Sequence, residues 1–260
     1  MTEKQEKWIL KPFNALFWAL FALFIVILIA ASAALRNQSV ITRKTVLCAA
    51  CIFTFVWFFI YKYCLSIDKE YDTIRTEMGM GGFNWWGELP LHLCNINIML
   101  IPIAVLTDSK ALESFCFFAA PLGAFLALAM PGNGFEKYSL RLPRIMGFFG
   151  THYMIFIEGL AIATFGFYKP ELSDIPKAML TSFILTLCIT VINILMRRTG
   201  LYPNANYFYT IETENNYFLE LFYKWIPVPG LYSIFCVLSF GVYMLLLTGL
   251  ISLLRLLIGR

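Results

Sequence analysis

Apolar residues along this chain come in stretches of roughly 20, parted by short charged or Pro/Gly-rich breaks. A helix rising about 1.5 Å per residue needs about 20 apolar residues to cross a bilayer. Seven stretches meet that need: Phe13 to Leu35, Thr45 to Leu65, Leu89 to Thr107, Ala111 to Met130, Gly147 to Phe167, Pro176 to Met196 and Gly230 to Gly259. The third and fourth are joined by only Asp108, Ser109 and Lys110, which predicts a tight antiparallel hairpin. The first follows a polar flank, Met1 to Lys11, but is too long for a signal-peptide core and ends at Leu35-Arg36 without a small-x-small cleavage site, so it reads as a retained anchor. No internal repeat stands out, and no soluble domain fits between the stretches. The expected fold is all-α: one polytopic membrane domain over residues 1–260, a bundle of about seven transmembrane helices.

Composition excludes the soluble alternatives. The chain is 60% hydrophobic and only 14% charged, against about 25% charged residues in soluble proteins, and its mean hydropathy is +0.73. So much apolar surface does not fit inside one globular core of this size, which rules out a cytosolic enzyme, a disordered regulator and a nucleic-acid module. The net charge of +4 names no partner. With seven spans, the N-terminus shares a membrane face with loops two, four and six. That face carries twelve of the twenty Lys and Arg residues (Lys4, Lys7, Lys11, Lys62, Lys69, Arg75, Lys137, Arg141, Arg144, Arg197, Arg198 and Lys224). The positive-inside rule then leans towards a cytoplasmic N-terminus. Loop two, Ser66 to Glu88, also holds Asp68, Glu70, Asp72, Glu77 and Glu88, so the face is not simply basic.

Ionisable groups inside spans are costly and mark function by default. Here they gather at one end. The third stretch opens Glu88-Leu-Pro-Leu-His92-Leu-Cys94-Asn95-Ile-Asn97, and the fifth opens Gly150-Thr151-His152-Tyr153 and runs on to Glu158. Odd-numbered spans start from the same face, so His92, Cys94 and His152 are expected about five residues or fewer inside their helix starts, roughly 5 to 8 Å below one surface. The sixth stretch brings Asn193 to that face, and loop six adds Asn204, Asn206 and Tyr207. One polar pocket opening on the face of loops two, four and six accounts for this distribution.

The chain has two histidines and seven cysteines; both histidines and one cysteine fall in the cluster. A thiolate is a strong nucleophile and an imidazole can take its proton. Cys94 lies in the first turns of its helix, where the dipole favours an anion. Residues two apart on a helix point about 200° from each other, so His92 should not face Cys94; His152, from another helix, is the better base. His92 would share a side with Glu88 and Asn95 and act as a substrate-orienting or oxyanion-stabilising donor. Asn97 would share the side of Cys94, and Asn97 and Asn193 become further polar contacts.

Plainer readings apply elsewhere. Cys48, Cys51, Cys64, Cys116, Cys188 and Cys236 read as small packed hydrophobes. Cys48-Ala-Ala-Cys51 has redox spacing but lies in mid-membrane without a βαβ context. A metal site on Cys94, His92 and His152 lacks an obvious fourth ligand, and the spacing fits no zinc motif; neither metal nor cofactor is expected. Glu158, six residues past His152, reads as a structural interhelical acceptor. Trp85 and Trp86 with the Gly79 to Gly82 run read as an interfacial belt and a loop.

The run Leu89-Pro-Leu-His92-Leu-Cys94-Asn95, the later His152, Asn206-Tyr207-x-Tyr209, and Trp225-x-Pro227 followed by Tyr232 resemble the YwaF family of bacterial multi-pass proteins, related to animal transmembrane protein 164. The motifs extend from the second stretch to the seventh. The animal relative is a Cys-dependent acyltransferase that moves a fatty acyl chain onto a lyso ether phospholipid, and more distant lipid hydrolases with a related bundle use Thr and His. The resemblance implies a nucleophile at Cys94, a histidine partner at His152 and a bacterial cell membrane as the location. Asn95 stands where family members vary.

The expected function is an intramembrane Cys/His acyltransferase passing a fatty acyl chain from a phospholipid to a lipid acceptor through a thioester. Its partners would be phospholipid and lysolipid, with no nucleic acid; His92, Asn95, Asn97, Glu158, Asn193, Asn206 and Tyr207 are the candidate substrate contacts. Admitting water would turn the same machinery into a lipid hydrolase. The rival class is a small-molecule or lipid transporter or binding protein whose vestibule merely contains Cys94. A transporter should carry polar groups at the midplane in repeated halves.

Overall fold

In a computed structural model, residues 8–77, 82–132, 134–135, 138–214 and 216–258 are described; Lys4, Lys7, Lys137 and most of the Gly79 to Gly82 run lie outside them. In chain order these residues form strand β1 (Ile9–Leu10), helices α1 (Ala15–Leu35), α2 (Val40–Ser66), α3 (Lys69–Glu77), α4 (Leu93–Thr107) and α5 (Lys110–Ala129), strand β2 (Tyr138–Ser139), and helices α6 (Pro143–Thr164), α7 (Ile175–Thr199), α8 (Tyr217–Trp225) and α9 (Ile234–Ile258). The fold is an all-α membrane bundle. Six helices, α1, α2, α5, α6, α7 and α9, are long and apolar enough to cross a bilayer, while α4 is apolar but only 15 residues long.

Contacts between the loops show that α4 also runs from one face to the other. On one face β1 pairs antiparallel with β2, Ile9 opposite Ser139, Arg144 at the start of α6 holds Asp68 at 2.6 Å, and the Tyr202 phenol packs against Gly87. On the opposite face Lys44 bonds Asp108 at 2.8 Å, Lys110 donates to the Phe167 carbonyl at 2.8 Å, and Arg255 reaches the Pro170 carbonyl. The loop before α4 therefore belongs to the first face and the Asp108 turn to the second. All seven expected stretches are helical, with shifted ends. Pro143 at the first helical position, where a missing N–H costs nothing, starts α6 before Gly147. Loop two contains α3, whose Tyr71 N–H bonds the Asp68 side chain, and loop six contains α8.

α5 and α6 form the middle of the bundle, whereas α1 turns most of its surface outward. Small residues explain the centre, because close approach of membrane helices needs them. A Cβ added to Gly159 on α6 would stand 2.6 Å from the Pro121 ring and 2.8 Å from the Ala120 side chain on α5. A Cβ added to Gly123 on α5 would meet the Cys94 backbone and Cβ at 3.4 Å. α4 and α6 are thus both pressed against α5, which carries their polar ends into contact.

Candidate active site

The short length of α4 sets the depth of the site. Fifteen residues rise about 22 Å, less than the roughly 30 Å hydrocarbon core, so the helix start lies below the surface of the first face. Pro90 disfavours helix at Leu89, and the chain reaches α4 through extended backbone at Leu89 and His92. The first N–H groups of a helix lack intrahelical partners. Those of Cys94 and Asn95 lie beside the Cys94 sulfur, a place that favours an anion.

His152 comes from α6. Its Nε2 is 3.4 Å from Cys94 Sγ, and its Nδ1 is 2.8 Å from the Phe148 carbonyl one turn earlier. A carbonyl only accepts, so Nδ1 carries the proton of the neutral ring and the Nε2 lone pair faces the thiol. The imidazole is 5% exposed, and the Phe148 ring packs on it with centroids 4.5 Å apart. Orientation and tautomer are therefore fixed by the helix that carries the ring. A family model described as TMEM164 family matches residues 8–251.

The chain belongs to the TMEM164 family. No curated protein and no solved structure matches it.

Within this family member, the other candidate residues divide by what their side chains touch. His92 is the cap residue before α4, not a helical residue, so the expected common face with Glu88 and Asn95 does not exist. Its ring instead meets Tyr207 and Tyr209, with centroids at 5.4 and 5.5 Å. His152 is nine residues past Pro143, deeper along its helix than the expected five. It still meets Cys94 because α4 begins late. Asn95 and Asn97 are buried on α4; Asn97 donates to the Leu93 carbonyl at 2.6 Å, and both Oδ1 atoms lack a partner among the described residues.

Asn193 and Asn206 brace loop six. The Asn193 amide donates to the Tyr207 carbonyl and Thr210 hydroxyl at 2.8 and 2.9 Å and accepts from the Tyr207 N–H at 3.0 Å. Asn206 accepts the N–H groups of Ile211 and Glu212 and donates to Glu214. Together they hold the turn that presents Tyr207 to His92, with Phe208 at φ 57°. Glu158 stands apart from this group: six residues past His152, and so about 9 Å deeper, it accepts a 2.5 Å hydrogen bond from Thr54 on α2. Among the described residues no cluster of three His, Cys, Asp or Glu side chains is arranged to hold a metal ion.

Sequence reasoning passed over one group. Lys62 falls within the second apolar stretch yet donates to Glu88 at 2.7 Å, and Arg75 on α3 donates to the other Glu88 oxygen at 3.0 Å. Burial works against the Glu88 charge, but the two cations outweigh it and hold the carboxyl below the ordinary range. The Lys62 ammonium also acts electrostatically on Cys94, His92 and His152. A lysine inside an apolar run was the available signal.

Proposed function

We propose that this family member is an intramembrane acyltransferase using Cys94 as nucleophile and His152 as general base. The reading rests on one observation: a thiol 3.4 Å from an imidazole nitrogen whose opposite nitrogen is tied to a backbone carbonyl. Nε2 takes the thiol proton, and the thiolate attacks the carbonyl carbon of a phospholipid acyl ester. The free N–H groups at the start of α4 are placed to receive the developing oxyanion, with His92 as a further donor. The intermediate collapses as Nε2–H returns its proton to the departing lysolipid oxygen, leaving a thioester on Cys94. A second lipid hydroxyl then gives its proton to Nε2 and attacks the thioester, and the thiol is regenerated with that proton. Burial within the bundle excludes water and favours transfer over hydrolysis.

The reading places the protein in a bacterial cell membrane with its N-terminus, and hence the pocket, at the cytoplasmic side. Incubating purified protein with a phospholipid labelled in its acyl chain tests the chemistry. A hydroxylamine-sensitive adduct that disappears in Cys94→Ala is expected. A wild type that forms no adduct during turnover, or a Cys94→Ala variant that remodels lipid undiminished, removes the cysteine mechanism.

A further inference from the structure

Lys62, Arg75 and Glu88 form a buried charge cluster whose charges do not balance. Their side chains are 11%, 6% and 8% exposed, and two cations share one carboxylate. Glu88 occupies Nη1 of Arg75; the neutral Tyr71 and Tyr202 phenols lie close to the guanidinium, but Nε and Nη2 are buried without a well-aligned hydrogen bond among the described residues. Those two atoms form one edge of the guanidinium, with parallel N–H bonds that match two oxygens of a single oxyanion. Arg75 is held in place by Glu88 on one side and the Tyr71 ring at 5.9 Å on another. A surplus positive charge that neutral phenols do not cancel, and two poorly aligned donors, are costly in a low-dielectric site without a ligand. A singly charged oxyanion would meet both demands.

The position indicates its source. The cluster sits where the loop before α4 meets the ends of α2 and α3, on the face where α4 begins, and Lys62 is near enough to influence Cys94 and His152 electrostatically. At the bilayer interface the abundant singly charged oxyanion is the phosphodiester of a glycerophospholipid. We propose that Lys62 and Arg75 form a phosphate-binding subsite that holds the headgroup of the lipid whose ester faces Cys94. This rests on the acyl-transfer reading only for the ester; headgroup binding is separable from the chemistry.

The test therefore uses full-length protein carrying Cys94→Ala, which cannot form the thioester, in neutral detergent. Native mass spectrometry compares retention of phosphatidylglycerol with that of diacylglycerol bearing the same chains. Phosphatidylglycerol is expected to be held about ten-fold more firmly, the scale of one charge-assisted contact. R75Q and, separately, K62M should lower phosphatidylglycerol retention about ten-fold while changing diacylglycerol retention little. Equal retention of the two lipids by the unsubstituted cluster overturns the proposal without recourse to any variant. So does an equal fall for both lipids in a variant that still melts cooperatively. Inorganic phosphate at matched concentration should leave the lipid bound; displacement by it would make free phosphate the ligand and overturn the headgroup assignment. If the subsite is upheld while wild-type protein forms no acyl adduct, only the transfer reading falls.

Discussion

The His152 ring is held between two atoms of different chemistry: Nδ1 is 2.8 Å from the Phe148 carbonyl and Nε2 is 3.4 Å from Cys94 Sγ. The carbonyl belongs to the residue one turn earlier on the same helix, so the ring is aimed by α6 itself and needs no third side chain. That economy suits a membrane interior, where an additional carboxylate would have to be desolvated. On the proposed reading, the reactivity of Cys94 depends on His152 before any substrate is present.

Alkylation measures that dependence. In detergent-solubilised protein near neutral pH, N-ethylmaleimide should modify Cys94 about 100-fold faster in the wild type than in His152→Ala, the lower end of the usual contribution of a positioned base. Cys188, exposed on α7, serves as the internal reference. Equal Cys94 rates in the two proteins would show that the pairing is only spatial.

Asn193 offers a different kind of test because its amide serves the loop and not the thiol. Removing it in Asn193→Ala leaves the Tyr207 N–H and carbonyl and the Thr210 hydroxyl short of a buried partner, at a cost of about 1–3 kcal/mol. A lower melting temperature is expected and, on the acyl-transfer reading, a higher KM, as Tyr207 loses its fixed place beside His92. An unchanged melting temperature would show that the bracing carries no stability.

Acid should act through Glu88. Its carboxyl titrates below the ordinary range in the folded protein, so the stability it contributes is fully present above the ordinary carboxylate pKa and is lost as pH falls through the depressed value. Glu88→Gln cannot titrate there. The variant is expected to be less stable than the wild type at pH 7, with the two stability curves converging as the solution becomes more acidic. Parallel curves across that window would show that Glu88 does not carry the linkage.

The parts legible in the sequence were those with few competitors. Seven apolar stretches fixed seven helices because nothing else can bury so much apolar surface, and Cys94 and His152 stood out because a chain with two histidines offers few bases. Lys62 was hidden by its neighbours: inside an apolar run it counted as a loop charge, although it points back to Glu88 across 26 residues. The status of His92 was obscured for another reason. A four-residue spacing implies a shared face only within a helix, and Pro90 delays the helix until Leu93. The short polar helix α3 lacks an apolar period, and its orientation follows from ion pairs of Asp68, Glu70 and Arg75 to distant residues. Spacing along the chain carries no information about such pairs.

Helix approach supplies the last prediction. A Cβ at Gly147 would stand 2.5 Å from the Tyr61 side chain on α2, which is 4% exposed and has no room to withdraw. Gly147→Ala must therefore separate α2 from α6 near the turn that carries Phe148 and His152. Overpacking of this kind costs about 1–3 kcal/mol, so a lower melting temperature is expected. Because the strain falls five residues before His152, Cys94 alkylation should slow as well, by less than in His152→Ala. Gly249→Ala is the matched control: among the described residues nothing beyond its own helical backbone and chain neighbours lies within 4 Å of its added Cβ, and Ala has the higher helix propensity. If the two alanine variants melt together, the α2–α6 contact is looser than the Gly147 geometry requires.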